Sequence, residues 1–161
     1  MAEYCLIVDN RETKLIALLA NKQVENFNII VKPLKLGDIV IARASKDKLD
    51  DEEWVYSNTI TIFERKTCSD LLSSINDGRY REQKARLLSN FSKKQVCYII
   101  ENSVDKSLDK YRKGGCKVVR GAIINQLFRD RITLVKTQSL EETVEYLLTI
   151  CKKVNSNIEF F

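Results

Sequence analysis

The sequence predicts an α/β layered domain. Strand-length apolar runs alternate with stretches whose apolar residues recur at helical spacing, and turn residues fall between them. A short polar link also separates two successive strand runs, which makes that pair an antiparallel hairpin. At 161 residues the chain is long enough for one domain with a sizeable core, so residues 1–161 are read as a single domain.

The elements follow in order. Tyr4-Cys5-Leu6-Ile7-Val8 is a short buried strand ending at Asp9, and Leu15, Leu18 and Leu19 then recur at helical spacing. Ile29-Ile30-Val31 starts a second strand, Gly37 marks a turn, and Asp38-Ile39-Val40-Ile41-Ala42 is a third strand. Residues 45–58, rich in Asp and Glu, are expected as a loop or hairpin tip, and 59–66 as the fourth strand. Thr67 has the chemistry of a helix N-cap, and Asn76-Asp77-Gly78 closes that helix. A second helix is expected from Arg79 to Phe91, with Tyr80, Leu87, Leu88 and Phe91 on one face. Residues 95–100 form a buried strand, 103–117 a polar basic segment, 118–128 a helix and 132–135 a last strand. Ser139-x-x-Glu142 is a capping box that opens a helix with the stripe Leu140, Val144, Leu147, Leu148 and Cys151.

Composition excludes whole classes of chemistry. The chain has no histidine, which removes Ser-His and Cys-His nucleophile pairs and the usual catalytic zinc sets. Hydrolysis here has to rest on carboxylates, lysine and a hard oxygen-ligated cation. The five cysteines are scattered and never in a CxxC spacing, against a disulfide framework or structural zinc; Cys5 and Cys97 read as small core residues. No apolar run reaches membrane-spanning length and the start lacks a signal-peptide pattern, so the expectation is an intracellular, reducing compartment with no membrane partner. The net charge of +5 is uneven: residues 79–120 hold 12 Lys and Arg against 4 Asp and Glu. A basic half beside a carboxylate-bearing half fits a polyanion partner, although solvated helix faces give the same pattern.

The chemistry concentrates in Glu64-Arg65-Lys66-Thr67-Cys68-Ser69-Asp70. Strand side chains alternate, so Glu64 and Lys66 share the face of Ile60 and Ile62 while Arg65 points away. A charged pair that ends a buried row is costly unless something binds there. In the hairpin, Asp38 opens one strand and Glu64 closes its neighbour, so the two carboxylates are expected at the same end of the sheet. Such a pair can share Mg2+, which polarises a phosphoryl group and acidifies a bound water that Lys66 can orient. A surface ion pair is the bland alternative. Asp9 and Glu12 can extend the acidic set, or Asp9 or Asn10 can cap the next helix. Asp70 suits a capping box with Thr67 and equally a support for Lys66. Arg79 and Gln83 share a helix face fit for a phosphate or for Glu64, and Lys84 and Arg86 suit generic contacts to a nucleic-acid backbone or, each taken singly, a solvated charge.

Glu64-Arg65-Lys66-x-x-x-Asp70 closely resembles the ERKxxxD signature of the XPF family of structure-specific endonucleases. Val8-Asp9-x-Arg11-Glu12, Gly37-Asp38 and the run from Asp70 to Gly78-Arg79-Tyr80, with Gln83 following, match further family motifs, and the segment from Gln126-Leu127 to Thr143 is also similar. The resemblance implies a restriction-endonuclease-like mixed sheet flanked by helices, and Mg2+- or Mn2+-dependent cleavage of branched, flap or fork DNA in repair or recombination. It implies Asp38, Glu64 and Asp9 as metal ligands, the Arg65 carbonyl and Glu12 beside them, Lys66 on the attacking water and Asp70 in support. Arg11, Arg79, Gln83, Lys84 and Arg86 are then candidate DNA contacts. A homodimer or heterodimer through the nuclease domain is also implied, with the last two helices as candidate interface elements, as is a DNA-containing compartment such as the nucleus. No glycine follows Gly121, so the tandem helix-hairpin-helix module of many members is expected to be absent. A non-catalytic DNA-binding scaffold paired with an active nuclease is the alternative.

Overall fold

The computed structural model describes residues 3–44 and 46–161. Packing divides the chain into two compact units, one made of the residues up to Phe63 with Leu140–Phe161, the other of Glu64–Ser139. Six strands form one mixed sheet in the order β2-β1-β3-β4-β5-β6, with β1 at Tyr4–Asp9, β2 at Phe27–Lys32, β3 at Ile39–Ala42, β4 at Thr59–Thr67, β5 at Val96–Glu101 and β6 at Thr133–Thr137.

In the first unit every residue of β1 is buried, which explains why the run reads as continuously apolar rather than alternating. β1 pairs in parallel with β2, Tyr4 opposite Phe27, and antiparallel with β3, Val8 opposite Ile39. The expected hairpin forms, with Ile39 opposite Phe63. The ladder runs one residue past β3: the Asp9 amide donates to the Asp38 carbonyl at 2.9 Å and the Asp38 amide to the Phe63 carbonyl at 2.8 Å. Asp38 is thereby fixed by its backbone between the end of β1 and Phe63, midway along β4. Helices α1 (Thr13–Leu19) and α6 (Leu140–Ser156) pack together. α1 buries Leu15 and Leu19, and the α6 stripe buries Val144, Leu147, Cys151 and Val154.

The acidic stretch expected as a loop contains a helix instead, α2 at Glu52–Ser57; Ser45, at the start of that stretch, lies outside the described residues. The Asp51 side chain accepts the Trp54 N–H at 3.0 Å, Glu52 and Glu53 favour the positive helix start, and Val55 is buried. Charge density hid a capping signal.

In the second unit, α3 (Cys68–Asn76) begins where β4 ends, and Thr67 caps it as expected, its Oγ1 accepting the Asp70 N–H at 3.1 Å. α4 (Arg79–Asn90) buries Tyr80 and Leu87, and β5 runs parallel to β6 with Cys97 opposite Thr133. Helix α5 spans Gly115–Ile124, starting earlier than the expected 118, and continues as a π-turn over Asn125–Arg129. Close packing requires glycine at its first position: a Cβ on Gly115 would come 2.5 Å from the Leu108 carbonyl oxygen. All five cysteines are buried and free, and burial pushes the Cys97 and Cys151 thiols up to about 12. No helix among the described residues is long and apolar enough to cross a membrane.

Gly37 delivers Asp38 to its place. It has φ +73°, and a Cβ there would meet Ile62 Cγ1 at 2.5 Å. Gly37→Ala is expected to lower stability by roughly 1–3 kcal/mol, from the left-handed backbone and the clash together. Denaturant unfolding checks this, and an unchanged midpoint would refute it.

Candidate functional site

The first unit carries Asp9, Arg11, Glu12 and Asp38. Asp9 closes a strand buried on both faces and is itself 2% exposed, so its carboxylate needs partners. Oδ1 accepts the Leu34 N–H at 3.0 Å and Oδ2 accepts Arg11 Nε at 2.6 Å. The Arg11 side chain is otherwise 75% exposed. Helix α1 is capped at Glu12, without a side-chain cap bond, and the Glu12 amide donates to the Asp9 carbonyl at 3.0 Å. Neither Asp9 nor Asn10 is therefore the cap. Glu12 and Asp38 are half-buried.

The second unit carries the charged row. Glu64 and Lys66 are each 9% exposed, and Lys66 Nζ stands 3.8 Å from Glu64 Oε1, as expected for neighbours on one strand face. Arg65 turns the other way. It forks onto Glu101 at the end of β5, Nε to Oε1 at 2.5 Å and Nη2 to Oε2 at 2.7 Å. Sequence reasoning missed Glu101, although an acid closing the apolar run Val96–Ile100 is the same signal that singled out Glu64. Asp70 is exposed on the first turn of α3.

The expected DNA contacts have varied surroundings. Arg79 Nε donates to Asp77 Oδ2 at 2.7 Å, and the Arg79 amide and guanidinium hold the Asp77 carboxyl below its ordinary value. Gln83 is half-buried, and its Oε1 has no hydrogen-bond partner among the described residues. Lys84 Nζ donates to Asp130 Oδ2 at 2.6 Å and lies 4.7 Å from the centre of the Tyr80 ring. Arg129 also donates to Asp130, and its hydrogen bond, with that of Lys84, brings the Asp130 carboxyl down to about 2. Burial raises the Tyr80 hydroxyl to about 12, and it donates to Gln126 Oε1 at 2.6 Å. Arg86 pairs with Glu82 at 3.0 Å on an exposed helix face. Lys84 is thus joined to Asp130 and to the Tyr80 ring.

Among the described residues no three carboxylate or thiol groups stand together as a metal cluster. Both oxygens of Asp9 accept hydrogen bonds, Oδ1 from the Leu34 amide and Oδ2 from Arg11. Carboxylates such as those of Asp9, Asp38 and Glu64 are hard oxygen donors, which suit Mg2+ or Mn2+ rather than a softer ion.

Residues 8–150 match the model of the ERCC4 domain. The chain belongs to the ERCC4 domain family. It is 32% identical over 160 residues to the probable crossover junction endonuclease mus81 of Dictyostelium discoideum, covering 89% of this chain and 17% of that protein. It is 30% identical over 159 residues to the crossover junction endonuclease MUS81 of Debaryomyces hansenii, covering 94% of this chain and 23% of that protein. The chain therefore spans less than a quarter of the length of either relative. Among solved structures, XPF from Aeropyrum pernix matches with a TM-score of 0.66 and 23% identity, covering 95% of this chain and 65% of that one. Its complex with DNA gives the same TM-score over 94% and 64%. These likenesses establish the restriction-endonuclease-like fold of the ERCC4 domain, as the motifs implied.

Two stability experiments follow. Glu101 is nearly buried and held by a planar fork, so Arg65→Lys is expected to cost about 2–4 kcal/mol, because an ammonium cannot reproduce both bonds. A denaturant midpoint equal to that of the parent would contradict this. Asp130 has a depressed pKa when folded. Its contribution is complete above the ordinary value of 3.8 and is lost as pH falls through about 2. Asp130→Asn should cost about 1–2 kcal/mol at neutral pH and flatten the stability profile between those values. Urea titrations across that range provide the check.

Proposed function

We propose that this ERCC4 domain is the catalytic domain of a metal-dependent endonuclease that hydrolyses phosphodiester bonds in branched, flap or fork DNA, in repair or recombination. The observation that carries the reading is the buried Glu64–Lys66 pair at a strand end, within an intact ERKxxxD motif. Strand pairing supports it: the Asp38 amide is bonded to the carbonyl of Phe63, which precedes Glu64 in the chain. The named relatives are crossover junction endonucleases, and one structural neighbour is XPF in complex with DNA.

Asp38 and Glu64 would hold Mg2+ or Mn2+, with the Arg65 carbonyl beside them. When bound, such a cation supplies Lewis-acid polarisation of the scissile phosphate and lowers the pKa of water. Lys66 has a compact charge in a largely buried position. It orients the attacking water and offsets negative charge that develops at phosphorus during in-line attack. Asp70, on the turn that follows, supports Lys66. Asp9 acts through Arg11, fixing Nε and leaving the exposed guanidinium its other donors for a phosphate oxygen. Glu12 completes the acidic set at the start of α1. Arg79 and Gln83 hold the DNA backbone near the site, with Arg86 at the rim.

Assembly as a homodimer or heterodimer is part of the same proposal. The exposed Ile124 on α5, Phe128 on the π-turn and Tyr146 on α6 supply apolar surface on the helices expected to form the interface. A DNA-containing compartment follows from the substrate.

Asp38→Asn and Glu64→Gln are each expected to slow cleavage of a labelled fork by roughly a hundred-fold or more, with unfolding midpoints near the parent's. Lys66→Met should slow it by a similar factor. EDTA should abolish cutting and Mg2+ or Mn2+ restore it. Cleavage that survives EDTA or Asp38→Asn removes the mechanism, and fork binding without cutting under every metal condition points to the scaffold alternative.

A further inference from the structure

The segment between β5 and α5 has a charge pattern that the proposed cleavage does not use. Residues 103–120 hold six Lys and Arg against Asp105 and Asp109. Both acids are engaged in the backbone. Asp105 Oδ1 accepts the Ser107 N–H at 2.9 Å, and that residue's amide and hydroxyl hold the carboxyl below its ordinary value. Asp109 Oδ1 accepts the Cys116 N–H at 3.0 Å, closing the first turn of α5. Lys106, Lys110, Arg112, Lys113, Lys117 and Arg120 are all exposed. All of these side chains face water, but each acid also spends one oxygen on a backbone amide.

Tyr111 stands in the middle of these bases and is 60% exposed. Lys110 Nζ lies 5.1 Å from its ring centroid, so the ring and one cation are already associated. Arg112 donates to Asn76 Oδ1 at 2.6 Å, which ties the segment to the last residue of α3. Helix α3 begins two residues after Lys66 and rises about 14 Å over its length. The platform is therefore connected through a rigid element to the end of the catalytic row.

We infer that Tyr111 is a stacking platform for an unpaired base, with Lys110, Lys113 and Lys117 following the phosphates of a single-stranded arm. An exposed ring among bases is the arrangement that binds single strands, because any base offers a π-face once it is unstacked. A duplex occupies those faces internally and would use only the cations. The inference rests on the proposed DNA substrate and adds which part of a branched molecule this segment recognises.

The test is binding in EDTA, where no cutting takes place. Fluorescein-labelled oligothymidine, a blunt duplex and a fork with one single-stranded arm are titrated with the parent, Tyr111→Ala and Tyr111→Phe. Tyr111→Ala is expected to weaken oligothymidine and fork binding by roughly ten-fold and to leave duplex affinity unchanged, while Tyr111→Phe stays near the parent. A 2-aminopurine in the fork arm should lose fluorescence on binding to the parent and not to Tyr111→Ala. Equal weakening for all three nucleic acids, or none, overturns the inference and leaves a purely electrostatic patch. A parent that binds none of them overturns it as well. Loss of cutting with Tyr111-dependent binding intact counts against the catalytic proposal alone.

Discussion

Strands buried on both faces cannot end in a charge without an answer to its desolvation, and much of this molecule is that answer. Asp9 closes β1 and is met by the Leu34 amide and Arg11. Glu101 closes β5 and is met by the fork of Arg65. Each acid is held by two donors at hydrogen-bond distance, which offsets the cost of taking a carboxylate out of water. On β4 the charges alternate between these solutions: Glu64 and Lys66, each 9% exposed, stand 3.8 Å apart on one face, while Arg65 between them turns to the other face and to Glu101.

The alternation also shows how a three-residue motif can carry two unrelated duties. In Glu64-Arg65-Lys66 the outer residues share one strand face and the middle residue takes the other. Arg65 secures β5 from that other face while its carbonyl stays in the chain between Glu64 and Lys66. The guanidinium is suited to this duty because its planar donors match a carboxylate at two points, whereas Lys66 offers a compact charge that can follow a water or phosphate oxygen. Exchanging the two side chains would leave each unsuited to its place.

Much of the fold was legible because its signals are local. Period-two alternation in 59–66, the Thr67 cap and the stripe Val144, Leu147, Cys151 each correspond to an element where expected. The hairpin followed from a short link, and with it the placing of Asp38 beside Phe63. What stayed hidden depends on partners distant in sequence. Nothing near Arg65 announces Glu101, 36 residues away, and nothing near Lys84 announces Asp130, 46 residues away. A lone basic residue on a helix reads as a surface charge until its partner is seen. α2 was lost for a different reason: the acids that favour its first turn are the same residues that make 45–58 look like a loop, and only Val55 and the Asp51 cap break the tie.

The placing of acids relative to bases then decides which positive charges remain for a polyanion. Counting Lys and Arg over 79–120 overstates the surface, since Lys84 is tied to Asp130 and Arg79 to Asp77. On the segment that follows β5 the acids are held differently, because Oδ1 of Asp105 and Oδ1 of Asp109 each accept a backbone amide. A carboxylate that accepts amide hydrogen bonds keeps its charge, yet part of that charge is answered by the helix end it caps, so it screens neighbouring lysines less than an open acid would. Two stretches of similar composition thus present different fields. The effective basic surface is set by which acids the backbone has already claimed, a property of capping geometry rather than of net charge.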